Sequence, residues 1–165
     1  MKLQWIIVLT IVLFDQVSKH WIDAELGLCT FEGCDKWVLL PVLQVAVLYN
    51  EGAAFSFLSD AGGWQRWFLL TLSSVVSVGI WYWLRSLDQA LVWLRAGLTL
   101  VLAGAIGNLI DRASLGYVID FIVVHWQDAY FPAFNVADAA ISVGAVCLII
   151  DMFQQRGEPA RVVSP

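Results

Sequence analysis

Two stretches of this sequence repeat one polar spacing at the edges of apolar runs. Asn108 and Asp111 close the run in "AGAIGNLIDR", and Asn135 and Asp138 open the run in "FPAFNVADAAISVGAVCLII". Residues three apart on a helix share a face, so each Asn can hold a carboxylate beside it. The helix dipole treats the two motifs differently. Asp138 opens a helix, where the positive end favours an anion, whereas Asp111 closes one and needs Arg112 or another donor. The other polar groups in apolar surroundings are Asp15, Lys19, Asn50 and Asp120. Ionisable residues in membrane spans are costly and usually functional. Each also has a plainer reading: Asn135 or Asp138 as a helix N-cap, Asp111 and Arg112 as an interfacial ion pair, Asp120 as a loop carboxylate, Lys19 snorkelling to the headgroups. Asp15 is harder to dismiss, because an unpaired carboxylate on a helix interior is expensive.

Several chemistries are excluded. No H-E-x-x-H is present, and His20 and His125 lie far apart in sequence, which argues against a zinc protease. "GAAFS" is not the G-x-S-x-G nucleophile elbow. Ser18 and Lys19 are neighbours, so on a helix they point in different directions and cannot pair with each other. Two carboxyl groups sharing one proton remain. At a separation of about 3 Å both cannot ionise, so one stays an acid while the other is a base for water. Such a pair hydrolyses an amide with no metal or cofactor. Spacing alone does not choose between Asp111 and Asp120 as the partner of Asp138. The Arg beside Asp111 would hold it ionised, which favours Asp120.

The elements that must position these groups are apolar helices. The chain has 165 residues, of which 60% are hydrophobic and 14% charged, with a mean hydropathy of +0.76. A soluble domain carries about a quarter charged residues. The net charge of −5 and the lack of a basic cluster do not suggest a nucleic-acid partner, and none is expected. About 20 residues cross a bilayer, and four runs qualify: 3–22, 67–84, 91–110 and 134–153. The first is read as a retained helix, since "DQVSKHW" is a poor processing site. These spans predict one all-α integral membrane domain over 1–165, a four-transmembrane-helix bundle with an outer loop at 111–133 and a disordered tail at about 154–165. Residues 23–66 form an outer segment, and "WVLLPVLQVAVLYNEGAAFSFL" within it predicts a small extracytoplasmic β segment lying on the outer membrane surface. In "GYVIDFIVVHW", Val118, Asp120, Ile122 and Val124 are expected to share one face.

Lys2, Arg85, Arg95, Arg156 and Arg161 fall on the side of the termini, against Lys19, Lys36, Arg66 and Arg112 opposite, a slight bias towards cytoplasmic termini. The polar residues then gather near the outer face. Cys29 and Cys34 can pair if their loop meets an oxidising compartment, and two free thiols fit equally; Cys147 belongs to packing. A transporter or proton-conducting protein is the competing class, but such proteins bind near the midplane on broken helices.

The blocks "DQVSK", "YNEGAAFSFL", "GAIGNLIDR", "VIDF" and "FNVADAAISVGA", in that order, resemble the signature blocks of bacterial lipoprotein signal peptidases (signal peptidase II). The resemblance implies a multi-pass enzyme of the bacterial cytoplasmic (inner) membrane. It would cleave prolipoprotein signal peptides before a diacylglyceryl-modified cysteine with an aspartyl dyad and no cofactor or metal. Matched block by block, the dyad falls on Asp120 and Asp138. Asp15, Lys19, Asn50, Gly52, Ala53, Asn108, Asp111, Arg112, Asn135 and Ala137 fall among the supporting or substrate-facing residues. The implied partners are lipidated prolipoproteins, membrane lipids and the cyclic peptide inhibitor globomycin; nothing in the sequence demands more than one chain, and a monomer is expected.

Overall fold

The computed structural model describes residues 2–30, 33–52 and 64–156. Four helices, α1 (Lys2–Leu26), α2 (Trp64–Ser86), α3 (Val92–Ser114) and α4 (Val136–Arg156), are each long and apolar enough to cross a membrane. Between them lie four short strands: β1 (Trp37–Leu40), β2 (Leu43–Asn50), β3 (Val118–Trp126) and β4 (Ala129–Tyr130). They form one antiparallel sheet in the order β1-β2-β3-β4.

The helices outrun the apolar segments that announce them, because a helix satisfies its own backbone in water as in lipid. α1 continues past residue 22 through Asp23 and Glu25 until Gly27, whose φ of +63° ends it with Gly27 N bonded to the Asp23 carbonyl at 2.9 Å. α3 likewise passes residue 110, so Asp111 and Arg112 lie on its last turn and not in a loop over 111–133. α4 reaches Arg156, so residues 154–156 of the expected tail are helical; residues 157–165 lie outside the described ones.

α3 is the central helix. Half of its span is buried, against 17–22% for the others, and it touches α1, α2 and α4. Its approach to α4 is the closest, and glycine permits it. A Cβ on Gly104 would run into the carbonyl oxygen of Ala137, and one on Gly97 would lie 2.9 Å from the Gly144 carbonyl oxygen. Small residues facing each other in this way let antiparallel backbones touch where no hydrophobic drive operates. At the chain-terminal end Val8, Ile80, Leu84, Leu98 and Leu102 fill the interior. At the other end Val45, Val47, Ile119 and Phe121 pack the sheet against Ile22 of α1.

Tryptophans mark both ends. Trp21, Trp64, Trp67 and Trp126 are exposed at the sheet end, and Trp5, Trp83 and Trp93 at the other. At 1.5 Å per residue the two groups on α2 stand roughly 20–30 Å apart, the spacing of the aromatic belts of a bilayer.

β3 departs from the simple alternation expected for 118–124. The Phe121 and Ile122 N–H groups both donate to the Phe134 carbonyl, at 3.1 and 2.8 Å, and β2 carries an extra residue between Val45 and Leu48. Such bulges shift the pleat. Val118, Asp120 and Val123 therefore line the cavity described below, while Ile122 turns to the core.

Candidate active site

α4 begins with a reciprocal cap. The Asp138 N–H donates to Asn135 Oδ1 at 3.0 Å, and the Asn135 N–H donates to Asp138 Oδ2 at 3.3 Å, a capping box built from Asn and Asp. A further first-turn donor, the Ala137 N–H, reaches Asp15 Oδ1 on α1 at 2.8 Å. Two carboxylates thus face the positive end of α4.

The cap leaves the Asn135 amide free for other work. Its Nδ2 donates to Asp120 Oδ1 at 2.7 Å and contacts Asn108 Oδ1 and the Ile119 carbonyl, both at 3.3 Å. Asn108 Nδ2 in turn donates to Asp138 Oδ1 at 2.7 Å. Each asparagine therefore serves a carboxylate across a helix boundary: Asn108 points to Asp138 and away from its own sequence neighbour, Asp111.

Asp111 has a different cation from the expected one. Lys19 Nζ sits 2.9 Å from Asp111 Oδ2, 2.8 Å from Asp15 Oδ2 and 3.0 Å from Asn108 Oδ1. It is wholly buried, so it does not snorkel; two carboxylates and an amide oxygen take its three donors. Gln16 completes the group, donating to Asp111 Oδ1 at 2.8 Å. Arg112 points elsewhere, its Nη2 donating to the Gly52 carbonyl at 3.2 Å, with its charge felt by Asp138, Asp120 and Asp111.

The sheet contributes Asp120. Asn50, at the end of β2, donates from Nδ2 to Asp120 Oδ2 at 3.0 Å and accepts the Gly52 N–H at 3.1 Å. Both Asp120 oxygens are thus held by amides. Four carboxyl groups (Asp15, Asp111, Asp120, Asp138) meet two cations (Lys19, Arg112), and a buried excess of negative charge is costly. Burial, and then the charge of Asp138, push the Asp120 carboxyl up to about 7, against the pull of Asn50 and Asn135. Asp120 and Asp138 both line a cavity of about 1290 Å³, together with Asn108, Arg112 and the apolar side chains of Leu48, Phe131 and Ile141. Asp120 and Asp138 are thus tied to one asparagine, Asn135, on the wall of one cavity. Among the described residues no cluster of His, Cys and acidic side chains suits a metal ion.

Of the residues singled out from sequence, Asp15, Lys19, Asn50, Gly52, Asn108, Asp111, Arg112, Asp120, Asn135, Ala137 and Asp138 belong to this network or border it. Ala53 lies outside the described residues. Gln16 was missed; it lies inside "DQVSK", and its spacing of one from Asp15 gave no signal.

A family model described as "Signal peptidase (SPase) II" matches residues 7–154. The chain belongs to the signal peptidase II family. The lipoprotein signal peptidase of Pseudomonas aeruginosa is 51% identical over 160 residues, covering 94% of this chain and 91% of that protein. That of Pseudomonas fluorescens is 48% identical over 158 residues, covering 94% and 90%. Two solved bacterial membrane enzymes share the fold: one with a TM-score of 0.85 and 26% identity covers 99% of this chain and 96% of its own. The other, with a TM-score of 0.79 and 28% identity, covers 93% and 94%. Membership of the signal peptidase II family makes the chain a membrane protease of the aspartic type and removes the transport alternative.

Proposed function

We propose that this chain removes signal peptides from prolipoproteins, cutting before a diacylglyceryl-modified cysteine, with Asp120 and Asp138 as the catalytic pair. The observation that carries the assignment is Asn135, whose side-chain amide holds Asp120 and whose backbone N–H holds Asp138. The pair holds one proton. Asp120, pushed up to about 7, takes the larger share. Asp138, at the head of a helix, is the base.

Asp138 takes a proton from water as its oxygen adds to the scissile carbonyl, and Asp120 gives its proton to the carbonyl oxygen. Collapse of the tetrahedral intermediate returns that proton to Asp120, breaks the C–N bond and passes the Asp138 proton to the departing amine. The pair ends as it began. Lys19 fixes Asp15 and Asp111, and Asn50 and Asn108 aim the two acids. Phe131, Ile141 and Leu48 offer an apolar wall to a substrate that is itself an apolar helix carrying acyl chains.

The site lies at the sheet end of the bundle. We place that end at the outer face of the cytoplasmic membrane and the termini in the cytoplasm. The Cys29–Cys34 disulfide on the same end supports this, since such bonds persist in oxidising compartments. One chain carries the whole network, and globomycin, a cyclic peptide, is expected to occupy the cavity and block turnover. The test incubates purified protein with a precursor bearing the diacylglyceryl group and with the same precursor lacking it. Only the lipidated form should yield a product beginning at the modified cysteine. Binding without shortening, or equal cleavage of both, contradicts the reading.

A further inference from the structure

The last turn of α3 carries Asp111 and Arg112, and it is fastened by a residue outside the network. Helix C-termini leave carbonyls without partners. Here the Asp111 carbonyl accepts the Leu115 N–H at 2.7 Å, and the next two are taken by one guanidinium from the start of α2. Arg66 Nε donates to the Arg112 carbonyl at 3.0 Å, and Arg66 Nη2 donates to the Ala113 carbonyl at 3.0 Å. The fork is held close by Gly116. Its φ is +93°, and a Cβ there would stand 3.1 Å from Arg66 Nη1, so the turn into β3 is shaped to receive the guanidinium.

Arg112 is consequently gripped at two points. Its carbonyl is held by Arg66, and its own Nη2 holds the Gly52 carbonyl. Its Nε is buried without a hydrogen-bond partner among the described residues, and its charge faces Asp111, Asp120 and Asp138. The same turn runs through Gly116 into β3, four residues before Asp120.

We infer that Arg66 is a positioning residue for the reaction: by clamping the end of α3 it sets the direction of the Arg112 guanidinium towards the two carboxyl groups. This rests on the assignment of Asp120 and Asp138 above. Arg66 touches neither carboxyl; it acts through the backbone it binds. A lysine in its place is not equivalent, because an ammonium lacks the planar fork that meets two carbonyls at once.

The charged groups that bear on the pair are Lys19 and Asp15 from α1 and Arg112 from α3, whose own charge is balanced by Asp111; Glu51 and the neutral Tyr49 also line the cavity. Arg66→Ala removes none of them, but frees one. The test measures cleavage of the lipidated precursor against pH by wild type, Arg66→Ala, Arg66→Lys, Arg112→Gln and Arg66→Ala/Arg112→Gln, with Asp120→Asn as the inactive control.

Arg66→Ala should lower kcat by roughly tenfold with KM changed less than about twofold. Its alkaline limb should move to higher pH, since a wandering cation no longer favours ionised Asp120, the acid of the pair. Arg66→Lys should recover part of the rate. Adding Arg66→Ala to Arg112→Gln should cost nothing further, because the clamp has no guanidinium left to aim. If both Arg66 variants lose only melting temperature while kcat and the pH profile stay those of wild type, or if their effects multiply with Arg112→Gln, Arg66 is a helix cap alone and the inference fails. Should Arg66→Ala not fold, the pH profile of Arg66→Lys decides. An active Asp120→Asn would instead sink the catalytic assignment, whatever the Arg66 variants do.

Discussion

Asn135 does two things that sequence logic sets against each other. Its Oδ1 caps α4, and its Nδ2 holds Asp120. Asn135→Asp separates them: the cap survives, because Asp is as good an N-cap as Asn, while the amide donor is replaced by another carboxylate. Helicity by circular dichroism should match wild type, with precursor cleavage down at least ~100-fold; an active Asn135→Asp would show that the amide is dispensable. Asp120 makes a second prediction. Its carboxyl is raised from 3.8 to about 7 in the folded protein, so the folded state binds the extra proton across that window. Stability then falls as pH rises through it, by up to about 1.4 kcal/mol per pH unit. The melting temperature of detergent-solubilised wild type, relative to Asp120→Asn, should therefore drop between pH 4 and pH 7 and level off above; a difference independent of pH would refute it. At this scale the sequence showed which polar residues matter by their cost in apolar surroundings. It could not show who pairs with whom. Lys19 reads as a snorkelling lysine because two of its three partners, Asn108 and Asp111, are about 90 residues away, and Asp111 reads as the partner of Arg112 because Arg112 is adjacent.

At the scale of elements, the seam between α3 and α4 decides whether Asn108 reaches Asp138. Gly104 lies against the backbone of Ala137, one residue before Asp138. Gly104→Ala forces the two helices apart, at a cost of about 1–3 kcal/mol for overpacking, and should lower cleavage as well as melting temperature. Gly79→Ala, with nothing within 4 Å of the added carbon, should leave both unchanged and serves as the control; equal effects at the two positions would show that the seam is not special. Hydropathy located the four helices because lipid demands long apolar runs. It misplaced their ends because polar turns such as Asp111–Ser114 are helical too, and the stops are written in Gly27 and Gly116. The bulge that sends Val123 to the cavity is invisible to strict alternation, since it depends on pairing with β2 and the Phe134 carbonyl.

For the whole molecule, the catalytic proposal requires the sheet end to face outward. Cys29 and Cys34 are bonded there, and Cys147 is buried in α4. After mild reduction of intact cells, a membrane-impermeant thiol reagent should label Cys29 and Cys34 and spare Cys147. Labelling only after lysis would invert the orientation. The overall architecture was legible from composition and block order. The direction of insertion was not, because lysine and arginine divide almost evenly between the two sides and several of them are occupied at the site.

The central claim is that Asp120 and Asp138 act as one unit on one proton. Groups acting as a unit lose activity together and not in sum. Single-turnover cleavage of a lipidated precursor by wild type, Asp120→Asn, Asp138→Asn and the double variant tests it directly. Each single change should slow cleavage by more than ~1000-fold, with the double variant no slower than either. If either single variant cleaves within about tenfold of wild type, or if the two losses multiply, the shared-proton account is wrong.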